Sequence, residues 1–132
     1  MNRLPQLHFW IGVIGVLAFL ASGQYMFHVH DHLAGMADGP RMLYRSAHIY
    51  LLLSSLLNLV IGVYLPPSSQ RFPPLLQYLV SAVILLSPFF MLAGFFLDPL
   101  GAGLHRPVTR LSLYALFGMA ILLIVLGLRR QK

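Results

Sequence analysis

The chain has no cysteine, no glutamate and a single lysine, and its nine Lys and Arg and three Asp make up only 9% of 132 residues. Each shortage removes a class of protein. Without cysteine there is no disulfide-stapled module, no iron–sulfur cluster, no thiolate zinc site and no thiol redox chemistry. Without glutamate there is no Glu-based general acid or base, and no HExxH zinc motif. Soluble domains carry about 25% charged residues, so this chain lacks the polar surface to coat a water-exposed globule. What it has instead is 58% hydrophobic residues and a mean hydropathy of +0.79. The solvent for most of it is lipid.

A formal net charge of +6 would point to nucleic acid in a soluble protein. Here the cations stand singly at the ends of apolar runs, a pattern of membrane topology and headgroup contact, so the lipid bilayer and not nucleic acid is the expected partner. Four runs are free of Asp, Glu, Lys and Arg: Leu7 to Phe27, Ser46 to Leu65, Leu75 to Leu97 and Leu111 to Leu128. A spanning helix needs about 20 apolar residues, and placing the starts at Tyr44 and Val108 gives spans of about 7–27, 44–65, 75–97 and 108–128. Hydrocarbon offers no partner to a backbone amide, and the runs show no period-2 alternation, so the spans are helices. The expectation is a single all-α domain, an up-down-up-down bundle of four transmembrane helices.

The connections fit that division. Pro66-Pro67 and Pro73-Pro74 bracket a stiff loop between the second and third spans. Pro107 suits the first turn of the fourth helix, and Asp38-Gly39-Pro40 reads as a turn in the long loop before the second. Leu7 to Gly23 admits a second reading as a signal peptide cut after Ala21-Ser22-Gly23, but the apolar run continues through Phe27, as a signal anchor does. The side with both termini holds Arg3, Arg71, Arg129, Arg130 and Lys132 against Arg41, Arg45, Arg106 and Arg110 opposite. This margin predicts an inner-membrane protein with cytoplasmic termini.

Polar chemistry then collects at one end. His28, His30, His32, His48 and His105 share it with Asp31, Asp38 and Asp98, while His8 sits alone at the other. Imidazole is the commonest protein metal ligand. A strand-like segment would put His28, His30 and His32 on one side with Asp31 as ligand or hydrogen-bond acceptor; a continued helix would pair His28 with His32 at i,i+4. His48 enters from the next helix. A divalent metal on His28, His30, His32 and Asp31, or haem b on His48 with His28 or His32, is thus the cofactor reading. The plainer reading is a solvated cap with no resident cofactor.

On the second helix Tyr44, His48, Leu51, Ser55, Asn58 and Gly62 recur at helical spacing, answered on the first by His8, Gly12, Gly15, Phe19, Ser22 and Met26. Small and polar stripes of this kind are packing faces, where Ser and Asn bond across helices and Gly admits a close backbone. Pro88 frees the carbonyl of Ile84 and predicts a kink. Asp98 and Arg110 are expected at one depth, as an interfacial ion pair. No ionisable residue lies near the middle of a span, which weakens a proton-coupled transporter reading; a small transporter formed by oligomerisation is the further alternative. No phosphate loop, nucleophile elbow or haem-attachment motif occurs. The functional expectation is a bundle without catalysis of its own, assembling with itself or in a larger membrane complex and presenting a periplasmic His/Asp/Arg cap.

Overall fold

The computed structural model of the protein describes residues 3–64, 74–101 and 103–128, so the Pro-Pro loop, Arg71, Arg129, Arg130 and Lys132 lie outside the described residues. Four helices follow in order: α1 (Leu4–His28), α2 (Asp38–Tyr64), α3 (Pro74–Leu97) and α4 (Pro107–Leu128), with short 3-10 turns at Asp31–Leu33 and Asp98–Leu100. The described residues contain no strand. The protein is the all-α helical bundle expected from its apolar runs. Three helices, Leu4–His28, Asp38–Tyr64 and Tyr78–Leu100, are long and apolar enough to cross a membrane; in α4 the stretch Pro107–Leu122 is apolar but shorter.

The local chemistry explains the boundaries. Pro5 sits in the first turn of α1 and Pro107 opens α4, positions where a missing N–H costs nothing. The Asp38-Gly39-Pro40 turn expected before α2 is instead its first turn, so α2 begins six residues ahead of Tyr44. A carboxylate and a proline both suit a helix N-terminus, and that preference outweighs their turn propensity. Helix α1 runs unbroken through Ala21-Ser22-Gly23 to His28.

Helices α1 and α2 pack along one another, α3 lies against α2, and α4 lies on α3, among the described residues barely touching α2 and sharing no comparable seam with α1. The bundle is a triangle of α1, α2 and α3 with α4 on its flank. Leu51, Val80, Ile84, Met91 and Leu116 form the main core, and Leu33, Tyr44, Ala47 and Phe95 close the loop end.

Close approach between α1 and α2 depends on glycine. A Cβ at Gly62 would lie 2.5 Å from the Phe9 backbone nitrogen and 2.7 Å from its Cα, and one at Gly15 would collide with the Ser55 hydroxyl. The two stripes do face one another: His8, Gly12, Gly15 and Ser22 are buried against Tyr44, Leu51, Ser55 and Asn58.

At the centre of the triangle is a polar knot. Asn58, with no exposed surface, donates from Nδ2 to the Ser54 carbonyl on its own helix (2.9 Å) and to the Ile84 carbonyl on α3 (2.8 Å). Its Oδ1 lies 2.8 Å from Nδ1 of the fully buried His8 on α1. With both amide hydrogens given away, Oδ1 can only accept, so His8 carries its proton on Nδ1 and donates it. Ile84 is the residue whose carbonyl Pro88 leaves free, and it also accepts from the Ser87 hydroxyl at 2.7 Å. The proline vacancy in α3 is thus the socket that receives Asn58. Ser55, expected to bond across helices, donates its one proton back to the Leu51 carbonyl instead.

Replacing Asn58 with Leu strands His8 Nδ1 and leaves the Ile84 carbonyl with the Ser87 hydroxyl alone; membrane hydrogen bonds average about 0.6 kcal/mol each, so stability in detergent should fall by about 1–2 kcal/mol, against little change for the exposed Leu56→Ala. Pro88→Ala restores an N–H for Ile84, so the cost of Asn58→Leu should shrink in that background. Equal costs in both backgrounds would contradict the socket.

Candidate functional site

The segment His28-Val29-His30-Asp31-His32 adopts neither expected form. Helix α1 stops at His28, and Asp31, His32 and Leu33 then take positive φ of 45°, 58° and 64°. Three successive non-glycine residues in the left-handed region cost roughly 1–2 kcal/mol each. The compensation is Leu33, which the turn swings back under the bundle beside Tyr44, Ala47 and Phe95.

That turn separates the histidines. His28 and His32 stand edge-on to Phe27, with ring centroids 4.6 and 4.1 Å away. His30 turns inward between Tyr25 (5.2 Å) and Tyr44 (5.0 Å), with its Nε2 buried and unbonded. His48 is placed elsewhere by its helix, stacked on Phe19 at 4.0 Å with Nδ1 2.8 Å from the Ser22 hydroxyl. Among the described residues no three His, Cys, Asp or Glu side chains gather where they could share a metal ion. The structure brings His28 and His32 to one phenyl ring and turns His30 toward two tyrosines.

His48 has a feature that spacing alone does not show. Ser22 donates its only proton to the Phe19 carbonyl at 2.8 Å, so its hydroxyl oxygen accepts from His48 Nδ1–H. The lone pair on His48 Nε2 is left free. The imidazole runs beside Gly23, where a Cβ would come within 3.7 Å of Nε2. His8, which sequence position set apart, has the same pattern: Nδ1 committed, Nε2 buried without a partner. The signal for its burial was its place on the Gly12–Gly15 stripe.

At the α3–α4 loop the expected Asp98–Arg110 ion pair is absent. Asp98 is 3% exposed, and its carboxylate accepts from the backbone N–H groups of Val108 (3.2 Å) and Thr109 (3.0 Å). These are orphan donors of the first turn of α4. Pro107 has no N–H and Arg106, just before it, has no acceptor side chain, so a carboxylate from the preceding turn serves as the cap. The ion pair found among the described residues is Arg41–Asp38, at 3.4 Å. Arg106 donates to the Ser46 hydroxyl at 3.2 Å, tying the start of α4 to α2.

No family model matches the chain, and no curated protein or solved structure is detectably similar to it.

The cap predicts a contrast. Asp98→Ala removes both acceptors and should destabilise the protein by about 1–2 kcal/mol, Asp98→Asn should recover part of that through its remaining oxygen, and Arg110→Ala should leave thermal stability unchanged. A loss on Arg110→Ala as large as that on Asp98→Ala would restore the ion pair.

Proposed function

We propose that the chain is a small inner-membrane assembly subunit without catalysis of its own: four crossings, both termini cytoplasmic, and a periplasmic cap of His, Asp and Arg as its functional face. The observation that carries this reading is the open side of the bundle. Among the described residues helix α4 flanks α3 without closing against α1, and between α3 and α4 runs a groove of about 210 Å³ lined by Val83, Leu86, Ser87, Phe90, Leu111, Ser112 and Ala115. Its two hydroxyls are already engaged, Ser87 with the Ile84 carbonyl and Ser112 with the Val108 carbonyl. The groove therefore offers shape and small side chains, the means by which membrane helices associate, and no polar group for a substrate. A second copy of the chain, or a helix of a larger complex, is the occupant it suits.

The natural absence of cysteine makes the test direct. Single cysteines at Phe90 and Leu111, on the groove, and at Val60, on an exposed face of α2, should differ under mild oxidation in membranes. Phe90→Cys and Leu111→Cys should form cross-linked species, to a second copy or to a partner of defined mass, and Val60→Cys should not. Absence of any cross-link at the groove, with a monomer in native membranes, would remove the assembly reading. Reporters fused after Lys132 test the topology: activity confined to a periplasm-dependent reporter would overturn it.

One observation favours a second reading, a b-type haem or metal protein using His48 with His28 or His32. A ligating imidazole commonly donates its other N–H to a fixed acceptor, and His48 does so to Ser22. Protein purified from haem-supplied and metal-supplied cells decides it. A Soret band or stoichiometric metal lost in His48→Ala supports ligation, and a colourless, metal-free protein eliminates it.

A further inference from the structure

Near the loop end of α2, one face gathers Asp38, Arg41, Met42, Arg45, Ser46 and Ile49 around an open groove of about 460 Å³. Its charge is unbalanced. Asp38, the one carboxylate in the lining, is taken by Arg41 at 3.4 Å, and Arg41 also donates to the Met36 carbonyl at 2.6 Å. Arg45 is exposed, lines this groove and the neighbouring one beside Gln24 and His32, and has no carboxylate partner among the described residues. Arg106, just before α4, adjoins this groove through its bond to Ser46 of the lining. The carboxylate that could have neutralised it, Asp98, is buried under the first turn of α4.

Aliphatic side chains lie on both sides of Arg45 along the helix. Met42 and Ile49, 46% and 61% exposed, stand one turn and three turns into α2 from Asp38, with Arg45 between them at two turns. A groove that sets unneutralised guanidinium beside exposed aliphatic side chains matches a molecule with an anionic head and an apolar tail. Arginine forks bind phosphate oxygens in pairs.

We propose that this groove is a binding site for one anionic phospholipid, its phosphate held by Arg45 and Arg106 and an acyl chain laid along Met42 and Ile49. Arg41 borders the site with its charge already engaged. The inference rests on the membrane location of the helices and not on the assembly reading, so either can fail alone.

The test uses the full chain in nanodiscs of zwitterionic lipid containing a minority of phosphatidylglycerol, followed by native mass spectrometry of the released protein. One phosphatidylglycerol should be retained per chain, roughly tenfold less on Arg45→Ala and on Arg106→Ala. Arg45→Lys keeps the charge but loses the fork and should fall between. Arg110→Ala removes the same charge at the same end of the bundle outside the groove, and should stay within about twofold of wild type. Circular dichroism in detergent checks that every variant is folded. An equal loss in Arg110→Ala would show general surface attraction and overturn the site, as would equal retention of phosphatidylcholine. Displacement of the lipid by millimolar inorganic phosphate would assign the arginines to a soluble anion and also overturn it.

Discussion

A carboxamide with no water to turn to holds this bundle in register. Asn58 must find partners for one oxygen and two amide hydrogens inside hydrocarbon, and it finds them on three helices: His8 on α1, Ser54 on its own α2, and Ile84 on α3. The last is available only because Pro88 cannot donate to it. Two residues that are each unfavourable in a membrane helix, an amide and a proline, thus complete one another. Gly62 and Gly15 bring α1 near enough for His8 to take part. Apolar packing alone distinguishes poorly between helix faces in lipid, which is as apolar as leucine; the knot supplies that distinction.

A similar economy orders the loop end. Asp98 replaces a missing N-cap for α4, which withdraws its charge from the arginines around it and leaves the rim of the bundle cationic. Leu33 anchors the His-rich turn by reaching back into the core, at the expense of three left-handed residues. Four of the five histidines at this end are then distributed by the needs of the backbone: two against Phe27, one between tyrosines, and one on α2 fixed by Ser22.

Much of the architecture is legible in the residue pattern, for reasons specific to lipid. Uncharged runs of spanning length define helices almost without ambiguity, and the stripes at i, i+3 and i+4 on α1 and α2 name the buried face correctly, including His8, Gly15 and Asn58. Pro88 announced the free carbonyl of Ile84. What spacing could not supply was who filled it, since that depends on the rotation of α2 against α3. The His-rich segment was illegible for a related reason: both strand and helix satisfy its local sequence, and the choice fell to Leu33, a long-range contact. Shared depth pairs Asp98 with Arg110, but the backbone donors at the start of α4 are the stronger partners, because orphan N–H groups of a helix are fixed in place and an arginine at the surface is not.

The hydrogen-bond arrangement at Asn58 determines which nitrogen of His8 carries the proton, and that is open to direct observation. Solid-state NMR of the ¹⁵N-histidine-labelled protein in bilayers, with His8 assigned by comparison with His8→Gln, reports the tautomer. The account predicts a neutral His8 with the proton on Nδ1 and a bare Nε2, collapsing to a mixture of tautomers in Asn58→Leu. A His8 resonance showing Nε2–H in the intact protein, or one insensitive to Asn58, would contradict it.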